Sequence, residues 1–263
     1  MSRVSDRKNG LAKLKEIDKN KNDYLVIHYS CESFYGLKGK SPKITSIAIE
    51  NLEYGQAHLF AIYKTAEKMK IEFEQIPERY PDIEKSMLDD FFAYVSKNES
   101  KIWLHWNMRD SIFGFKALEH RHEVLGGDPE KIQDSKQINI AALLKDVYGP
   151  EYIADPKMQT LMEKNNLTPK HFLNGKDESE AFTNAEYYEL SLSTSGKVRM
   201  FSQMVNLAVD NNLKVDTPKK QLYGTSFQGY WQRFTESRLF KPVSYIASTI
   251  VGAIIGHFVT QGL

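Results

Sequence analysis

The chain has 263 residues, with 35 Lys and Arg against 34 Asp and Glu, a formal net charge of +1 and 41% hydrophobic residues. This balance excludes a wholly disordered chain and a strongly basic nucleic-acid coat, so any contact with nucleic acid must be local. A lone Cys31 rules out an internal disulfide and a multi-cysteine zinc site, and it fits a reducing compartment.

The N-terminal segment 1–22 is charged, has no apolar heart and is not a signal peptide; a short helix is expected at 6–18. The run Tyr24, Leu25, Val26, Ile27, His28 and Tyr29 predicts a buried strand. After a turn at 36–42, alternation predicts a second strand at 43–49 and a third at 58–62, so the three form a meander. Asp82 is expected to cap a helix whose face is Ile83, Met87, Leu88, Phe91, Phe92 and Val95. A fourth strand is expected at 101–105 and a helix at 112–122. From Asn139 onward the chain reads as helical, punctuated by Gly149-Pro150, by Thr168-Pro169 as a helix start, by Gly175 and by Asn211-Asn212. An amphipathic helix is expected at 196–211, with Val198, Phe201, Val205 and Ala208 on one face, and 214–229 reads as a linker.

The last stretch, 242–263, carries no charged residue, follows Arg233, Arg238 and Lys241, and repeats a small residue at Ser244, Ser248, Gly252 and Gly256. An apolar helix of roughly 20 residues spans a bilayer, and small residues at that spacing let helix backbones approach closely. The reading is a transmembrane helix at 241–263, with the body on the cytoplasmic face of the cell inner membrane by the positive-inside rule. The alternative is a cytoplasmic protein whose C-terminal helix packs inside an oligomer; in either case Ser248, Gly252 and Gly256 offer a homo-oligomer contact.

Three strands, a helix, a strand and then helices, with acids at the end of strand one and just past strand four, make up an α/β pattern. It resembles the ribonuclease H-like exonuclease fold, and the match is to the DEDD-type 3′–5′ exonuclease superfamily over 23–190, with 191–240 a helical extension and linker. Strand one runs into Ser30-Cys31-Glu32, so Glu32 matches the family's Glu while Ser30 stands at its first Asp. The segment 41–49 looks like the proline-led second strand. His105-Trp106-Asn107-Met108-Arg109-Asp110 resembles the second motif with Asn107 and Asp110 one residue closer than usual, and His171 followed by Asp177 and Glu178 is a looser third motif.

What the resemblance implies is a pair of Mg²⁺ or Mn²⁺ ions held by Glu32, Asp110 and Asp177 or Glu178, with His171 orienting or deprotonating water, and a phosphodiester cut between them. Lys43, Asn107 and Arg109 are placed to hold nucleic acid. Ser30 lowers the charge of such a site by one unit. Two functions follow. One is a membrane-tethered, metal-dependent nuclease, an effector in phage defence or toxicity. The other is a degenerate scaffold of the same fold that binds nucleic acid or a partner protein, with the tail oligomerising and disturbing the membrane.

Overall fold

The computed structural model describes residues 3–33, 37, 40–108, 112–218, 222–223 and 227–235. The centre is β1 (Tyr24–Cys31), buried along nearly its whole length. A strand covered on both faces can be apolar at successive positions, and here it sorts its side chains by parity. Leu25, Ile27 and Tyr29 enter one core, whereas Tyr24 and Val26 enter the other.

β2 (Ile44–Asn51) and β3 (Ala57–Ala61) extend the sheet antiparallel on one side, so the meander is present. β4 (Ile102–His105) and β5 (Gln137–Asn139) run parallel to β1 on the other side. Among the described residues the sheet has the order β3-β2-β1-β4-β5. This mixed α/β architecture is consistent with a ribonuclease H-like fold. The register shifts between Ser30 and Cys31, after which pairing with β2 continues through Cys31 opposite Ile44 and the Glu32 N–H to Lys43 O at 2.8 Å. A bulge of this kind re-aims the side chains that follow it.

Helices cover both faces. α1 (Arg3–Lys19) packs on α5 (Ile140–Tyr148) and, with the long α8 (Tyr187–Val209), forms the layer facing Val26. α2 (Ile62–Lys68), α3 (Ile76–Lys97) and α4 (Phe115–Val124) lie on the opposite side. α6 (Lys157–Lys164) and α7 (Gly175–Thr183) lead into α8, and α9 (Phe227–Thr235) follows it.

Several expectations change. α3 begins at Ile76 rather than after Asp82: Pro77 opens its first turn, and Asp82 lies inside the helix, paired with Arg79 at 2.9 Å. Pro81 lies inside the helix, where it forgoes the bond its N–H would make to the carbonyl four residues back. Thr168-Pro169 does not start a helix; that start is at Gly175, where Asn174 accepts from the N–H groups of Lys176 and Asp177. α2 and β5 are additional elements; β5 is three residues long and only half-buried. The expected helix at 196–211 is the second half of α8, which runs without a break from Tyr187 through the 190/191 boundary.

Among the described residues no helix is long and apolar enough to cross a membrane. The expected anchor at 241–263, with Ser244, Ser248, Gly252 and Gly256, lies outside the described residues.

Candidate binding cavity at the end of the central strand

Two polar side chains interrupt β1 on the face that looks toward α8. His28 is buried between Phe113 and Phe201, with ring centroids 5.9 and 5.6 Å away, and Ser30 is 3% exposed. Neither His28 Nδ1 nor Ser30 Oγ has a hydrogen-bond partner among the described residues. A buried polar atom left unpaired costs about 1–3 kcal/mol, and two of these lie on the same face at the end of β1.

These residues open into a cavity of about 940 Å³. β1 contributes His28, Tyr29 and Ser30, with Glu32 just beyond it; Trp106, Asn107 and Phe113 follow β4; and α7 and α8 supply Glu178, Ser179 and Lys197. Its apolar wall is aromatic. Trp106 stacks on Phe201 with ring planes 6° apart, and Phe113 lies 4.4 Å from the ring of Tyr29.

Asn107 takes a left-handed backbone, φ 55°, which Asn tolerates better than most residues. Its N–H donates to Asn139 Oδ1 at 3.2 Å and its own Oδ1 accepts from Asn139 Nδ2 at 3.2 Å. The same Asn139 caps α5 by accepting from Ala141 N–H, so the end of β5 fixes the turn after β4.

Lys197 is the charged group that sequence reasoning overlooked. It sits on the stripe Leu190, Thr194, Lys197, Phe201, Met204 and Ala208, all buried, and its Nζ meets Glu178 Oε1 at 2.8 Å. The two side chains are 4% and 17% exposed. The ammonium also stands 5.3 Å from the centre of the Phe172 ring. Gly196 permits the 167–172 loop to close over α8, since a Cβ there would lie 2.8 Å from that of Pro169. A signal was available in the sequence: the stripe that carries Phe201 and Ala208 runs backward through Lys197. Burial, and after it the Lys197 ammonium, holds His28 well below the usual imidazole range, so it is neutral. Burial, with Glu178, Glu32 and Glu84 nearby, pushes the Cys31 thiol up, leaving it protonated and a poor nucleophile.

Of the expected site residues, Glu32, Asn107 and Glu178 line this one cavity. Glu32 is half-buried, and its Oε2 accepts from Lys43 N–H at 3.3 Å. The Lys43 ammonium lies over the Tyr80 ring, 5.1 Å from its centre. Asp177 does not line the cavity; its N–H helps to cap α7. His171 is 42% exposed with Nδ1 3.5 Å from Glu189, and it too lies off the cavity wall. Asp110 and Arg109 fall outside the described residues.

Behind the β1–β2 connection lies a buried ion pair. Glu84, wholly buried on α3, accepts from Ile44 N–H at 2.6 Å and from Arg121 Nε and Nη2 at 2.8 and 2.5 Å. Arg121 also reaches Ser41 Oγ at 3.2 Å, and Tyr80 donates its hydroxyl to Ile44 O at 2.9 Å. Burial raises the Glu84 carboxyl above its ordinary range, against the pull of Arg121 and the Ile44 N–H. This network pins the start of β2 one residue from the N–H that braces Glu32.

The described donors do not fit a paired divalent-metal centre. Hard cations need several carboxylates, whereas here Ser30 offers a hydroxyl and an ammonium already neutralises Glu178. Among the described residues no group of three His, Cys, Asp or Glu is placed to hold a metal ion.

No family model and no curated protein matches the chain. Among solved structures it is similar to the crystal structure of the Aedes aegypti Nibbler EXO domain, with a TM-score of 0.31 and 10% identity over 79% of this chain and 92% of that one. A likeness of this size carries no argument.

Proposed function

We propose that this protein is a ribonuclease H-like scaffold that holds the end of a single-stranded nucleic acid without hydrolysing it. The observation that carries the reading is Ser30, a neutral, buried hydroxyl at the strand end where the resembled exonucleases present a carboxylate to their metals. Phe113, half-buried on the cavity wall, supports a stacking role for one base, and His28 Nδ1, Ser30 Oγ and the Asn107 amide line the same space.

Labelled single-stranded DNA and RNA, mixed with the full chain and Mg²⁺ or Mn²⁺, are expected to be retained intact. A base stacked on an aromatic ring is worth about 1–3 kcal/mol, so Phe113→Ala should weaken retention by roughly 5- to 150-fold. Metal-dependent shortening of the strands, abolished by Glu32→Gln, would instead establish the hydrolase reading, which the shared cavity of Glu32 and Glu178 supports. Absence of both retention and shortening would leave the cavity to a protein partner.

The tether is part of the same proposal. α9 exposes Phe227, Tyr230 and Trp231 at 84%, 57% and 58%, and six residues separate its end at Thr235 from the uncharged stretch 242–263. Aromatic side chains gather at membrane–water interfaces, so the helix suits the headgroup region beside a span. The full chain is expected in the membrane fraction and released by detergent alone; recovery in the soluble fraction without detergent would contradict the tether.

A further inference from the structure

The misfit between the cavity and a metal centre has its own explanation in Lys197. We propose that the Lys197 ammonium is a built-in cation, supplying from α8 the positive charge that a divalent ion would otherwise bring, and that it bars such an ion from the cavity. It stands apart from the nucleic-acid reading, since its test uses the metal alone.

Three observations support it. First, the ammonium is not a surface group that happens to reach inward: its side chain is 4% exposed and rises from the buried stripe of α8, between Thr194 and Phe201. Second, its partner is Glu178, the acid of the third motif that faces the cavity, at 2.8 Å. Third, the strand-end residue on the same cavity wall is Ser30, whose neutral hydroxyl lacks any hydrogen-bond partner among the described residues.

The position of the ammonium, not the sum of charges, accounts for the exclusion. The described ionic groups on the cavity wall are Glu32, Glu178 and Glu180 against Lys176 and Lys197, a net charge of −1 that by itself would draw a cation in, but Lys197 already occupies Glu178. A divalent ion entering beside Glu178 would meet a fixed ammonium in a partly dehydrated site, where like charges repel far more strongly than in water. Lys197 is held toward Glu178 by its burial, with Phe172 beside its ammonium and the 167–172 loop packed against Gly196.

The test titrates Mn²⁺ into the full chain by calorimetry and follows paramagnetic loss of the His28 ring signal by NMR. Three proteins are compared: wild type, Ser30→Asp, and Ser30→Asp combined with Lys197→Met. The double variant, with an acid added to Glu32, Glu178 and Glu180 and no ammonium at position 197, should take up Mn²⁺ at least about tenfold more tightly than either of the others and gain thermal stability from it. Wild type and Ser30→Asp should keep the His28 signal. The proposal is overturned if the folded double variant binds Mn²⁺ no better than Ser30→Asp. It is equally overturned if wild type or Ser30→Asp loses the His28 signal, and that result is decisive even where the double variant does not fold.

Discussion

Arg121→Ala should lower the free energy of unfolding by about 3–5 kcal/mol, the cost of leaving a buried charge without its partner. Glu84 is wholly buried and loses two of its three donors in this variant, keeping only the Ile44 N–H. Lysine should not rescue the position, because a point charge cannot reproduce the two-pronged contact that Arg121 makes. The pH dependence gives a second check. Burial already raises the Glu84 carboxyl above its ordinary 4.5, and losing Arg121 raises it further. A carboxyl whose pKa is higher folded than unfolded takes up a proton on folding. Its penalty is therefore full at neutral pH and shrinks as pH falls through the folded value toward the unfolded one. The defect of Arg121→Ala measured by urea denaturation should accordingly be smaller at about pH 5 than at about pH 8. A loss below about 1 kcal/mol, as for exposed pairs, would show that the pair is open to water.

Lys197→Ala is the second large effect, expected near the lower end of the same range, about 3 kcal/mol, because Glu178 keeps 17% exposure and can draw in water. Lys197→Met combined with Glu178→Gln should recover most of the loss, since removing both charges leaves no unpaired one. The coupling energy from the four proteins isolates the pair. Denaturation midpoints at constant slope are the measurement, and a single variant as stable as wild type would mean that the ammonium is not held as the structure places it.

Both ion pairs explain why the cavity was only half legible in the sequence. Glu84 lies on α3 four residues after Tyr80 and three before Met87, all of them buried, so an acid on an apolar stripe was visible without its partner. Arg121 is 37 residues away, on a helix whose approach depends on how α3 and α4 cover the sheet. Lys197 and Glu178 lie on different helices, and their meeting depends on how the 167–172 loop and α7 fold back along α8. The resemblance pointed to Glu32, Asn107 and Glu178 because each follows a strand end or a helix start that local pattern predicts. It also led to His171 and Asp177, which share those neighbourhoods in sequence but lie off the cavity wall.

By itself the sequence determined the strands β1 to β4, the apolar face of α3 and the neutral hydroxyl of Ser30 at the end of β1, because periodicity and strand formers act over a few residues. Only the tertiary structure decided on β5, whose three half-buried residues form a strand by pairing with β4. It also decided on the continuity of α8 through Tyr187, and on the ammonium that meets Glu178 inside the cavity. Local pattern reports which face of an element is apolar. Which charges come together is set by how those faces pack, and that information is spread over the whole chain.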